Sequence, residues 1–396
     1  MTNLEMDEQP VLPLEITDII IDHLCHDVQA LGNCGIVCSE WLIRSRHHLF
    51  STVQLWPWRV RSFFSLAASK DCTFANHINR IEIDDRRVRT REHSGKESRF
   101  KGIRGETLAE EVLFRDTMSQ TDIPCLAQVK SMQVRNVDWT TLSPTQRVVL
   151  RGHLAKFHKL DRLEFQNVTF HDLREVVRVV NSFPSLCHLT ANITFTKYIE
   201  HAISSAKSLS LSTNLRSIEL GTEDGIPVVL TCVERWDRPE RLVRLRLEHI
   251  KFNHLQYIQP TLRKLGKYLR EISLAFVKVD HDFIDLLDFS HLSDLRRLES
   301  PFLASIEIKC RMECEADAES IDWSRLERVL LALHFFGLEI VQFIGEAHAG
   351  SPLESDLVER WVYGGMPDLR ERGVLGVRVA KEEVETLSLE DAPAKD

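Results

Sequence analysis

Apolar positions along the chain follow two different periods. Between residues 11 and 50 the spacing is helical. Ile16, Ile19, Ile20 and Leu24 lie three, one and four residues apart, which predicts one apolar face on a first helix. Pro13 suits the opening turn, where a missing N–H costs nothing, and Glu15 favours the positive end of the helix dipole. Gly32-Asn33 breaks the pattern, and Cys34, Val37, Cys38, Trp41 and Leu42 restart it on a second helix. A segment of about 40 residues cannot build a self-sufficient core. Its surplus apolar side chains therefore predict a covering surface, supplied by the rest of the chain or by a second protein.

Further on, the period changes. An L-x-x-L-x-L-like triplet returns as Leu160/Leu163/Phe165, Leu186/Leu189/Ala191, Leu215/Ile218/Leu220, Leu242/Leu245/Leu247, Leu269/Ile272/Leu274 and Leu295/Leu298. The first positions are 26, 29, 27, 27 and 26 residues apart. Weaker copies stand at Ile78/Ile81/Ile83, Val129/Met132/Val134 and Leu326/Val329/Leu331, and several copies continue with a second apolar pair, such as Val168 and Phe170 or Ile250 and Phe252. Alternate residues of a triplet share one face of a short strand. Leu173 to Val180 and Phe283 to Leu287 then have helical period. A strand–helix unit cannot bury its apolar side alone, so stacking predicts a continuous core and a curved parallel sheet of the α/β class. An α/β domain with irregular crossovers is the other arrangement these elements allow.

The expected layout is a flexible N-terminus over 1–10, a helical domain over 11–50, the repeat array over 51–380 and a flexible acidic tail over 381–396. Residues 84–106, charged and poor in large apolar groups, read as an inserted loop or disordered excursion whose basic excess would attract an acidic or phosphorylated partner, or only water. Gly364-Gly365-Met366-Pro367 marks a turn before a final strand at Val374-Leu375-Gly376-Val377.

Charge and candidate chemistry narrow the function. A formal charge of −9 over 396 residues argues against generic nucleic-acid binding, which needs Lys and Arg to neutralise phosphates. Nine cysteines without framework spacing suit reduced thiols in cytoplasm or nucleus, and no run of about 18 apolar residues predicts a membrane span. Cys34 and Cys38, with His23, Cys25 and His26, are the best metal candidates, but they form no Cys-x-x-Cys pair and share the stripe of Val37 and Trp41, so buried thiols explain them better. Cys310 and Cys314 lack an accompanying His. No Gly-x-Ser-x-Gly elbow, phosphate loop or Gly-x-Gly-x-x-Gly fingerprint occurs. The expectation is therefore no metal, no cofactor and no catalysis.

The Leu12-Pro13-x-Glu15-Ile16 start and the later Val37-Cys38-x-x-Trp41 together resemble an F-box, and the array behind them resembles the divergent leucine-rich repeats of F-box proteins, in the style of the large fungal sets. The resemblance covers most of the chain, although the Asn or Cys expected after each triplet is mostly missing. It implies the substrate-recognition subunit of an SCF-type ubiquitin ligase. Leu12, Pro13, Ile16, Val37, Cys38 and Trp41 would dock on the Skp-type adaptor and through it reach a cullin, while Leu24 and Leu31 hold the helices together. An unknown protein substrate would meet residues flanking the triplets, namely Arg162, Glu164, Gln166, His188, Arg244, Arg246, Glu248, Glu271 and Ser273. Arg162, Arg244 and Arg246 would then read an acidic or phosphorylated degron, or form no more than the solvated face of a sheet. A protein-binding repeat scaffold without a ligase role is the alternative.

Overall fold

The computed structural model describes residues 13–56, 60–67, 69, 72–85, 128–196, 211–212, 214–236, 239–265, 268–276, 305–311, 319, 321–332, 339–347 and 355–381. The chain divides into two compact units, Met1–His171 with Arg178–Leu186, and Asp172–Val177 with Cys187–Asp396. The sequence expectations for Leu12, the N-terminus, residues 86–106, the segment Phe283 to Leu287, the triplet at Leu295/Leu298 and the tail after Lys381 lie outside the described residues.

The first unit opens with three helices, α1 (Leu14–His23), α2 (Val28–Cys34) and α3 (Ser39–Leu49). The break foreseen at Gly32-Asn33 falls later, at residues 35–38, so Cys34 ends α2 and Cys38 precedes α3. Asp27 starts α2 early by accepting the Ala30 N–H at 2.8 Å, and the helix runs through Gly32 at its far end, where a glycine is tolerated. Strands β1 (Thr52–Leu55), β2 (Arg80–Asp84), β3 (Ser131–Arg135) and β4 (Arg162–Phe170) then pair in chain order, all parallel. Helices α4 (Val60–Ala67) and α5 (Pro144–Leu154) belong to the same unit, and α6 (Leu173–Val180) follows. Asp84 is not the start of a solvated loop: it is buried at the end of β2.

In the second unit β5 (His188–Phe195), β6 (Ser217–Leu220), β7 (Arg244–Ile250), β8 (Glu271–Phe276), β9 (Ser305–Arg311), β10 (Ile340–Ala347) and β11 (Leu375–Lys381) again pair in chain order, all parallel. Helices α7 (Gly225–Arg235) and α8 (Leu255–Leu265) pack on each other, with the Thr261 hydroxyl donating to the Leu230 carbonyl at 3.3 Å. After β9 come α9 (Trp323–Ala332), α10 (Ser355–Gly365) and the short α11 (Pro367–Glu371). The architecture is thus α/β with eleven parallel strands among the described residues.

The triplet register has a backbone cause. The carbonyl one residue past the first triplet position accepts two N–H groups from the next strand. Ser51 takes Asn79 and Arg80, both at 2.9 Å; Asn79 takes Lys130 at 2.9 Å and Ser131 at 3.0 Å; Lys130 takes Asp161 at 2.9 Å and Arg162 at 3.1 Å. In the second unit Cys187 takes Arg216 at 2.7 Å and Ser217 at 3.0 Å, Arg216 takes Val243 at 2.9 Å and Arg244 at 3.0 Å, and Val243 takes Arg270 at 2.8 Å and Glu271 at 3.1 Å. Each strand is locked to the next at the same place, so the apolar triplet positions stack. Leu163, Phe165, Leu189, Ile218, Leu220, Leu245 and Leu247 are all buried.

A second device places the apolar pair that follows a triplet. Asn136, Asn167 and His249 have φ of 55°, 54° and 55°. Each stands two residues after the last triplet position, and one left-handed residue resets the two-residue alternation. Val168 and Phe170, or Ile250 after Leu247, therefore turn inward with the triplet instead of outward. The Asn167 side-chain amide donates to Asn136 Oδ1 at 2.9 Å, and Asn136 donates to Asp84 Oδ1 at 2.8 Å, which links three successive strands.

Toward the C-terminus the sequence register and the structure differ. Leu326 lies in α9, not in a strand. The strands come instead from Ile306-x-Ile308 and Val341-x-Phe343, which stand 34 and 35 residues after the preceding strand positions Ile272 and Ile306 and so outside the shorter spacing. At the foreseen glycine–proline turn, Gly364 and Gly365 end α10, Pro367 opens α11, and the final strand starts only at Leu375. The buried Glu327 carboxylate accepts the Asp368 and Leu369 N–H groups at 2.6 and 2.9 Å, which supplies the cap that Met366 lacks.

Candidate functional site

The helical head is held by a small core. Ile21, Leu31 and Cys34 are buried together, and Leu24, Trp41 and Leu49 pack against them. Trp41, expected on the docking surface, is half-buried and serves this core. Arg44 on α3 grips Asp22 on α1 through both carboxylate oxygens, Nε to Oδ1 at 2.6 Å and Nη2 to Oδ2 at 2.5 Å. His48 Nε2 adds a contact to Asp22 Oδ1 at 2.7 Å. The Arg44 hydrogen bonds first, and then His48, hold the Asp22 carboxyl well below the usual carboxylate range.

This network leaves α1 apolar on two sides. Thr17 and Ile21 face the core, whereas Ile16, Ile19 and Ile20 are exposed. The single face expected for Ile16, Ile19, Ile20 and Leu24 is thus two faces: Leu24 joins the core and the three isoleucines point away from it. Outward residues 16, 19 and 20 and inward residues 17 and 21 each follow helical spacing, so the pattern alone does not decide between them. Pro13, Val37 and Cys38 are exposed as well. Eight of the eleven large apolar residues found exposed in the described part of the protein lie on this head: Leu14, Ile16, Ile19, Ile20, Val28, Ile36, Val37 and Ile43. Ile36 reaches 85% exposure and Val28 71%, values that leave almost the whole side chain in water. Leu14, Val28, Ile36 and Ile43 were not foreseen as surface residues, although the apolar surplus of the segment was the signal for them.

Polar residues of the strands line the sheet face in each unit. In the first, Arg162 is exposed on β4, and Glu164 accepts from Gln166 Nε2 and lies 3.8 Å from Arg80 Nη2. Arg80 Nη2 and Arg135 Nη2 both donate to the buried Gln133 Oε1, at 2.8 and 2.7 Å. In the second, His188, Ser217, Arg244 and Glu271 share one row of the register. Arg244 donates through Nη2 to Glu271 Oε1 at 2.8 Å and through Nε to Oε2, and these bonds hold the Glu271 carboxyl below its ordinary value. Arg246 Nη2 lies 3.1 Å from Glu248, and its Nε lies 3.6 Å from Glu219, beyond hydrogen-bond reach. Ser273 donates to Glu307 at 2.7 Å. Arg244, expected to read an acidic degron or to be solvated, is paired with Glu271 on the neighbouring strand, and Arg246 with Glu248 on its own strand.

Cys34 is buried and Cys38 exposed, so the two do not share a face. No group of three or more His, Cys, Asp or Glu among the described residues has the arrangement of a metal site. Burial pushes the Cys232 thiol up to about 12, the opposite of what a nucleophile needs. No helix of the described residues is long and apolar enough to cross a membrane. No protein-family model matches the sequence, and no curated protein matches it.

Proposed function

We propose that this protein is the substrate-recognition subunit of an SCF-type ubiquitin ligase, with the helical head docking on a Skp-type adaptor and the strand array receiving a protein substrate. The concentration of exposed apolar side chains on α1–α3 carries the reading, because a contiguous chain segment this apolar and this uncovered fits a partner better than water. Completing the burial of these eight exposed aliphatic side chains is worth about 1–2 kcal/mol each. The sum is of the order of the roughly 4–15 kcal/mol that association costs. Pro13, Ile16, Val37 and Cys38 are the positions of the F-box resemblance that also lie exposed. Trp41 would act by shaping the head from within.

The array is read as a leucine-rich-repeat-like solenoid, supported by the repeated carbonyl bridging and the parallel register. Its substrate would be chosen by shape and hydrogen bonding, since Arg244 and Arg246 already have carboxylate partners. Tethering then raises the local concentration of substrate lysines near the charged conjugating enzyme, so the chain itself needs no catalytic group.

Co-purification of the full chain with a Skp-type adaptor tests this. Wild type should bind, and a folded Pro13→Ala, Ile16→Ala, Val37→Ala variant should lose binding. A folded wild-type chain that does not bind overturns the ligase reading and leaves a protein-binding scaffold.

A further inference from the structure

Where the head meets the first strands, two histidines touch. His47 on α3 and His77, which ends the tight turn Ala75–His77 ahead of β2, approach Nδ1 to Nδ1 at 3.4 Å with their rings at 86°. The same junction contains the Arg46 Nη1 donation to Thr73 Oγ1 at 2.8 Å and the stacked Phe50 and Phe74 rings, 4.6 Å apart. Just beyond the turn, Asn79 and Arg80 bond to Ser51 between α3 and β1. His47 and His77 therefore sit on the chain that joins the helical head to the pairing of β1 with β2.

We propose that the His47–His77 pair is a proton-operated joint, closed near neutral pH and opened by mild acid, between the helical head and the first strands. A hydrogen bond between two Nδ1 atoms needs one bare nitrogen as acceptor. One proton on the pair can be accommodated, because an imidazolium still donates through Nδ1. A second removes the acceptor and sets two N–H groups and two positive charges against each other.

The surroundings offer no relief. The charged and titratable groups facing His47 are Arg44 and His48 on α3, His77 on the turn and Asp22 on α1. Asp22, the one carboxylate among them, is already held by Arg44 and His48. Burial first, and then the three cationic or titratable neighbours, keep His47 below the ordinary imidazole value. The contacts of Arg44 and His48 with Asp22 hold α1 to α3 without involving either histidine of the pair. Acid is thus expected to loosen the turn at residues 75–77 while the three-helix core stays closed. The joint does not depend on the ligase reading.

Hydrogen exchange of the full chain at about pH 7.5 and about pH 5.5, corrected for the intrinsic pH dependence, is the test. Amides of residues 72–80 should lose protection about tenfold or more in acid while those of α1 keep theirs. His47→Asn and His77→Asn, which retain a polar atom near the Nδ1 position but do not titrate, should each abolish that loss. Equal acid sensitivity in wild type and either folded variant overturns the proposal. If both variants unfold, an NMR titration of the wild-type imidazoles decides it. Two protonation steps separated by about one unit or more support the joint, and two independent titrations at ordinary values refute it.

Discussion

Ile20 and Ile21 are consecutive residues with opposite fates, and alanine at each tests whether the outward face of α1 is free. Ile21 is fully buried in the head core, whereas Ile20 is 43% exposed. The gain in helix propensity from Ile to Ala, a few tenths of a kcal/mol, is the same at both sites and cancels in the comparison. Truncating Ile21 leaves a cavity against Leu31 and Cys34 and should cost about 2–5 kcal/mol. Truncating Ile20 removes contacts from about half of a side chain whose full burial is worth about 1.5–3 kcal/mol, so the loss should stay near 1 kcal/mol. Native-state hydrogen exchange of the α1–α3 amides reads the local opening free energy without mixing the two units. Ile21→Ala should lower protection by at least about thirtyfold, and Ile20→Ala by fivefold or so. Equal losses would mean that Ile20 is covered within the chain itself, and the free face on which docking depends would not exist.

Gly365→Ala should destabilise the second unit by about 1–3 kcal/mol or more, read as a lower urea midpoint, because the added Cβ would lie 2.2 Å from Trp323 Cβ. Glu327→Ala leaves the Asp368 and Leu369 N–H groups without their buried acceptor and should cost about 1–3 kcal/mol by the same measurement. His254 is buried as the acceptor of the Lys251 N–H at 3.2 Å, and burial lowers its pKa below the ordinary 6.5. The unfolded chain therefore takes the proton first. The contribution of His254 to stability is full above about 6.5 and declines as pH falls from there toward the folded value, so His254→Asn should flatten that part of the pH profile of the urea midpoint. Arg244→Ala should change stability by no more than about 1 kcal/mol, since its pair with Glu271 is half exposed, and a larger loss in thermal unfolding would contradict that.

Much of the strand array was legible because burial at the triplets is strict. Leu160, Leu186, Leu215, Leu242 and Leu269 are each fully buried and recur at nearly constant spacing, and a two-residue alternation has one meaning in a strand. The strands around Ile306 and Val341 escaped because their spacing lengthens, and Leu326 misled because an apolar residue every three or four positions also fits a helix. On the head, the surplus of apolar residues was legible, but their assignment to faces was not. Trp41, placed on the docking surface by the F-box resemblance, packs on the core, and Ile20 stands outside it, since α2 and α3 decide which side of each helix is covered.

The sequence by itself determined the α/β class, the head-plus-array order of the chain and the triplet register, since these depend on local periodicity and on the backbone's need to pair. Tertiary structure alone decided which apolar residues remain in water, which carboxylates Arg244 and Arg246 pair with, and that His47 meets His77 across 30 residues of chain. Such outcomes depend on distances between segments remote in sequence. A side chain's type sets what it can do, and only its neighbours in space determine whether that capacity is already spent.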